Sequence, residues 1–200
     1  MIIDALANFV TLVISHLGYP GIFLLMALES ACIPIPSEFI MPFSGFLVAT
    51  GEMNFWLAVL MGSFGNLAGS WLAWWVGHKG GRPLVEKYGK YILLSHHDLD
   101  AADRYFNKYG QNTVLFTRLM PVIRTFISLP AGIAKMDFKK FSIYTFIGVV
   151  PFTAALTYAG VKLRENWDGL QPYFHKFDLV IVLFLILGII WYIFRHIKRK

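Results

Sequence analysis

Between Phe55 and Gly77 the chain carries no Asp, Glu, Lys or Arg, and the same holds from Phe141 to Val161 and from Leu179 to Phe194. A helix that crosses a membrane needs about 20 consecutive, mostly apolar residues, and these runs meet or approach that length, the last being extended by Phe177. They lie in a 200-residue chain that is 56% hydrophobic and only 15% charged, whereas soluble domains average about 25% charged. A core of this size cannot hide so much apolar surface from water. The single cysteine, Cys32, excludes a disulfide framework within the chain and any multi-cysteine metal site. Lipid offers backbone polar groups no water, so the crossing segments must be helical. The expected fold class is an all-α polytopic membrane protein.

Residues 5–28 are apolar but interrupted by Ser15, His16 and Gly18-Tyr19-Pro20-Gly21. They read either as an interfacial helix leading into a membrane helix that ends at Glu29, or as one kinked span. No basic residue precedes them and no small-residue cleavage site follows, so the segment is expected to be retained. Two further apolar stretches do not behave as spans. Residues 30–51 contain Pro34, Pro36, Glu38 and Pro42, and residues 112–132 contain Arg118, Pro121, Arg124 and Pro130. Proline removes a backbone donor and breaks helices, and broken backbone at membrane depth survives only inside protein or beside a watery cavity. Each stretch therefore reads as a re-entrant hairpin, with Pro34, Pro36, Pro121 and Pro130 as the breaks.

The basic residues fit that reading. With both hairpins re-entrant, Lys79, Arg82, Lys87, Lys90, Arg104, Lys108, Lys135, Lys139, Lys140 and the tail Arg195-His196-Ile197-Lys198-Arg199-Lys200 share one face. The positive-inside rule puts that face, and both termini, in the cytoplasm. The net charge of +6 is then mostly orientation, with some attraction to anionic lipid at the cytoplasmic face, and no nucleic-acid partner is needed. The expected division of a single membrane domain is an N-terminal interfacial or membrane helix at 1–28, a first hairpin at 29–54, a span at 55–78, cytoplasmic amphipathic helices at 79–111, a second hairpin at 112–135, a span at 139–163, a C-terminal span at 177–195 and a basic tail at 195–200. The hairpins share a grammar of charge, proline, charge, proline, glycine and span, with Gly45 in the first and Gly132 in the second. Entering from opposite faces, they have the pattern of an inverted repeat, which in transporters puts the substrate between broken helices.

Four ionisable residues stand in apolar surroundings: Glu29, Glu38, Arg118 and Arg124. Each costs about 2.5–3.5 kcal/mol at the centre of a membrane helix, so each must find a partner or line water. On an unbroken helix the two arginines would point roughly 240° apart; the break at Pro121 lets a re-entrant turn aim both inward. Two guanidinium groups in a half-buried cavity make an anion clamp suited to phosphate, with Glu29 and Glu38 balancing charge or carrying protons. The bland reading is two ion pairs that only lock the hairpins together.

Other signals are weaker. Gly65-Asn66-Leu67-Ala68-Gly69 permits close helix approach, within the chain or between copies. His96-His97-Asp98 is a poor metal cluster because adjacent side chains on a helix diverge, and no cofactor is expected. Ser37 beside Glu38 suggests a nucleophile without a triad, and Lys79-Gly80-Gly81-Arg82 lacks the order of a phosphate-binding loop.

Glu29 followed by Pro34-Ile35-Pro36-Ser37-Glu38, the glycine-rich Gly65–Arg82 region, and Arg118-Leu119-Met120-Pro121-Val122-Ile123-Arg124 with Ala131-Gly132 and Met136 together resemble the signatures of the DedA, or VTT-domain, family. The likeness runs over roughly residues 15–165. Leu119 stands where the family usually has Phe, a conservative departure. The resemblance implies a bacterial cytoplasmic-membrane protein that translocates a phosphate-bearing lipid, such as undecaprenyl phosphate or phosphatidylethanolamine, in a manner linked to proton motive force. It also implies functional roles for Glu29, Glu38, Arg118 and Arg124. An intramembrane lipid-pyrophosphate phosphatase and a proton-coupled small-molecule exporter remain as alternatives; the paired arginines speak against a cationic substrate.

Overall fold

A computed structural model describes residues 2–31, 33, 35–92, 113–118 and 123–164. The expected C-terminal span and basic tail, the part of the expected amphipathic region from 93 to 111, with His96 and His97, and Cys32, Pro34 and Pro121 lie outside the described residues. Among the described residues there is no strand. Eight helices follow in order: α1 (Ile2–Leu17), α2 (Tyr19–Ser30), α3 (Ser37–Ala49), α4 (Phe55–Ile92), α5 (Thr113–Thr117), α6 (Ile123–Phe126), α7 (Ser128–Ile133) and α8 (Phe138–Leu163).

Local chemistry sets the boundaries. Gly18 adopts a positive φ of 62°, which a side chain would resist, so the 5–28 segment is two helices and not one kinked span. Gly21 then presses on the backbone of Val13 and Ile14, folding the start of α2 against the end of α1. The Asn54 side chain accepts from Leu57 N–H at 3.2 Å at the head of α4, and Asp137 accepts from Lys140 N–H at 2.9 Å at the head of α8, as N-cap residues do. The helix of α4 continues through Gly80 and Gly81 to Ile92. Interior glycine costs a helix only about 1 kcal/mol each, so residues 82–91, expected as an amphipathic surface helix, continue α4.

Glycine contacts give the helix directions. Gly65 sits against Phe23 and Gly69 against Ala27, so α2 and α4 run side by side in the same sense. Trp71 Nε1 donates to Ser142 Oγ at 2.9 Å, and the hydroxyls of Ser63 and Thr153 meet at 2.9 Å, so α4 and α8 run in opposite senses. A Cβ added to Gly45 would meet the Thr157 carbonyl, and one added to Gly160 the Pro42 carbonyl. Cβ atoms lean toward the helix N-terminus, so this reciprocal contact sets α3 and α8 side by side in the same sense. Since α2 follows α4 and α3 follows α8, the chain reverses between Ser30 and Ser37.

The second half repeats the arrangement. A Cβ on Gly132 would meet the Trp74 carbonyl and one on Gly77 the Leu129 carbonyl. Thus α7 stands to α4 as α3 stands to α8. Gly65 faces Phe23 on α2, and its counterpart Gly148 faces Leu115 on α5 and the Cβ of Arg118. With α4 and α8 antiparallel, the two halves are related by an approximate twofold axis.

Two sequence expectations change. The segment expected as a first hairpin at 29–54 holds one helix of its own, α3; the helix antiparallel to it is α2, which lies mostly within the expected 1–28 helix. Pro36 is the N-cap of α3. Pro130 does not break a helix; it lies in the first turn of α7, where the missing N–H would have had no partner anyway.

The packing between α4 and α8 is polar where their outward faces are apolar. The interior between α4 and α8 holds Ser63, Asn66, Ser70, Thr145, Thr153 and Thr157, all buried, while Trp56, Leu72, Trp75, Ile143 and Ile147 on the same helices are more than half exposed. An apolar exterior around a polar seam suits helices that pack through small and hydroxyl-bearing residues in lipid. Both α4, over Phe55–Gly80, and α8 are long and apolar enough to cross a membrane.

Candidate functional site

The reversal between α2 and α3 delivers three residues to one place. Glu29 occupies the last turn of α2, and Ser37 and Glu38 open α3. The Ser37 N–H donates to Glu29 Oε1 at 3.2 Å, so the first carboxylate caps the second limb across the break. Ser37 Oγ in turn reaches Glu38 Oε2 at 3.4 Å.

Arg124 arrives from the other half on α6. Its Nη2 donates to Glu29 Oε1 at 2.7 Å and also to Ser37 Oγ, and lies 3.9 Å from Glu38 Oε1. Its guanidinium carbon sits 4.1 Å from the centre of the Phe152 ring on α8, a cation–π distance. Arg124 is 1% exposed and Glu29 5%, whereas the Glu38 side chain is 43% exposed. The cluster thus has a buried ion pair and one partly exposed carboxylate.

Arg118, also fully buried, is held differently. Its Nη1 donates to the Arg124 carbonyl at 2.9 Å and to Asn66 Oδ1 at 3.4 Å. Its Nη2 donates to Ser128 Oγ at 2.8 Å and Thr145 Oγ1 at 3.2 Å. The Phe141 ring lies 5.8 Å away. Every partner is neutral, and among the described residues no carboxylate pairs with it.

The four ionisable residues singled out from sequence therefore meet unequally. Glu29, Glu38 and Arg124 touch directly through Ser37, and Arg118 joins them through the Arg124 backbone. The sequence reading passed over Asn66, Ser128, Thr145 and Phe152. Asn66 carried a signal, since an amide inside an apolar span is itself expensive; the others look like ordinary helix residues until α8 is docked.

Four buried nitrogens and oxygens of these side chains lack a partner among the described residues: Arg124 Nε and Nη1, Arg118 Nε and Glu29 Oε2. Buried polar atoms are paired in the great majority of cases, and three of these four unpaired atoms sit on the Arg124–Glu29 pair.

Comparison with known proteins now decides the family. The VTT-domain model matches residues 35–162. The chain belongs to the VTT-domain, or DedA, family. It is 39% identical over 184 residues to the Bacillus subtilis membrane protein YkoX, covering 92% of this chain and 81% of that one. It is 34% identical over 179 residues to undecaprenyl phosphate transporter A of Bacillus subtilis, covering 90% and 88%. A protein of Lactococcus lactis subsp. lactis named alkaline phosphatase-like is 33% identical over 184 residues, covering 90% and 85%. No solved structure matches the chain. Membrane-protein relatives and the two long apolar helices together place this family member in a membrane.

Proposed function

We propose that this DedA-family protein moves a phosphate-bearing lipid across the bacterial cytoplasmic membrane, with undecaprenyl phosphate the first candidate and phosphatidylethanolamine the second. In this reading α4, α8 and the 177–195 segment span the bilayer, the two hairpins dip into it from opposite faces, and both termini are cytoplasmic. Glu38, at the mouth, is where the head group first meets protein.

The observation that carries the reading is Arg124, a sealed guanidinium with Nε and Nη1 unpartnered among the described residues and set against a carboxylate that also keeps one oxygen unpartnered. Guanidinium nitrogens match phosphate oxygens in pairs. A phosphomonoester supplies acceptors to Arg124 and, in its protonated form, a donor to Glu29 Oε2. Phosphatidylethanolamine supplies the same acceptors and an ammonium for Glu38. The relative named undecaprenyl phosphate transporter A favours the first. The arginine and glutamate charges at the site sum to zero, so an entering phosphate brings excess negative charge, which a proton on a carboxylate offsets. The lipid tail stays in the bilayer, so the hairpins must part sideways to admit the head group.

A second reading has one observation behind it. Ser37 Oγ touches both Arg124 and the Glu38 carboxylate, a nucleophile's surroundings, and the Lactococcus lactis relative carries a phosphatase-like name. On this reading the chain hydrolyses a lipid pyrophosphate.

The test is purified protein in vesicles given labelled undecaprenyl phosphate or labelled phosphatidylethanolamine, with and without a pH gradient. Translocation of the first, strongly reduced but still measurable in Arg124→Lys, is the expected result. Movement of neither lipid rejects the transporter, and release of phosphate from undecaprenyl pyrophosphate establishes the enzyme instead.

A further inference from the structure

The two arginines have been treated as a pair of equal clamps, and their surroundings separate them. Arg124 keeps most of its donors free and faces carboxylates; Arg118 has both terminal nitrogens occupied by four neutral acceptors. One of the four is the main-chain carbonyl of Arg124. That bond ties the end of α5 to α6 through a side chain. The remaining partners come from three other elements: Asn66 on α4, Ser128 on α7 and Thr145 on α8. Gly148 lets Arg118 approach α8, since a Cβ there would meet the Arg118 Cβ.

We infer that Arg118 is a positioning residue, holding the backbone of Arg124 so that the second guanidinium meets Glu29 and the ligand, and that it does not touch the ligand itself. The inference rests on the lipid-phosphate reading for what Arg124 binds. Fixing a carbonyl fixes the adjoining Cα and so the origin of the side chain. A guanidinium suits the task because its planar fork serves several acceptors at once, which a lysine ammonium cannot reproduce. Binding a phosphate with Arg118 would require breaking bonds to Ser128 and Thr145 that Arg124 does not have to break.

Two variants test this, Arg118→Lys and the double substitution Ser128→Ala with Thr145→Val, the second leaving both arginines in place. Hydrogen exchange on the detergent-solubilised full chain is the readout that needs no ligand. Exchange is expected to rise over residues 123–128 and to stay unchanged over α2 and α3. Translocation of undecaprenyl phosphate in vesicles is the second readout. Each variant is expected to lose roughly tenfold, the scale on which residues that orient a ligand-holding group act. In an Arg124→Lys background the same substitutions should cost nothing further, because interacting sites are not additive. Equal losses in both backgrounds would give Arg118 its own contact with the lipid and overturn the inference. So would exchange that rises everywhere or nowhere, or failure of both variants to fold. If the wild-type chain moves no phosphate lipid, the transporter reading falls, and the exchange pattern alone decides the role of Arg118.

Discussion

The two halves of this molecule share their packing and divide their chemistry. Gly45 on α3 meets Gly160 on α8, and Gly132 on α7 meets Gly77 on α4, by the same reciprocal contact. The first hairpin brings Glu29 and Glu38, the second Arg118 and Arg124. The difference teaches that the repeat sets where backbones cross, and that each half has filled the resulting seam with opposite charge. The Arg124–Glu29 pair joins the halves, so it reports on how firmly they are closed. If the protein alternates between states, that pair is the bond that must open.

The most severe way to break the comparison is to remove one charge. Arg124→Gln leaves Glu29 buried with only the Ser37 contacts, and loss of one member of a buried pair costs about 3–5 kcal/mol. Glu29→Gln strands Arg124 in the same manner. Combining both should restore part of the stability of either single variant, since a neutral amide pair carries no uncompensated charge. Thermal unfolding in detergent measures all three, and a double variant as unstable as the sum of the singles would show that the halves are not coupled here.

A smaller effect tests the shared packing. Gly45→Ala and Gly132→Ala each push a methyl group into a facing carbonyl, and forcing extra volume into a packed contact costs about 1–3 kcal/mol. The twofold relation requires the two losses to be alike. Melting temperatures that fall strongly for one and not at all for the other would confine the repeat to its geometry and deny it an equal share of the stability.

Much of this was legible from the residues, and the reasons are specific. Uncharged runs announced α4 and α8, because lipid excludes charge from long helices. The cost of ionisable groups in apolar surroundings picked out Glu29, Glu38, Arg118 and Arg124, which the fold gathers around Ser37 and the Arg124 backbone. The neighbour of α2 was not legible because the helix is apolar from Ile22 to Leu28 and nothing in that run says which element it follows; that neighbour, α4, is chosen by Gly65 and Gly69, far along the chain. Pro130 misled because proline marks either the end of a helix or its first turn, and only the position of Ser128 at the head of α7 decides between them. The unequal surroundings of the arginines were hidden altogether, since Thr145 and Ser128 reach Arg118 only after α4, α7 and α8 have docked.

The smallest expected change in stability sharpens the comparison most. Glu38 is the one member of the cluster at the surface, 43% exposed and 3.9 Å from Arg124, and exposed pairs contribute only about 0–1 kcal/mol. Glu38→Gln should therefore melt within about 4 °C of wild type, the span that such a small change allows in a domain of this size. If the glutamates only balance the arginines, transport should be barely affected as well, because Glu29 alone neutralises Arg124 in the sealed pair. If the mouth carboxylate takes up the proton that offsets an entering phosphate, the same variant should abolish the response to a pH gradient while leaving some gradient-independent movement. Measuring melting and gradient response on one preparation separates the two. A variant that keeps both its stability and its gradient response would move the proton-carrying role away from the mouth and onto Glu29, making the ion pair between the halves also the site of protonation.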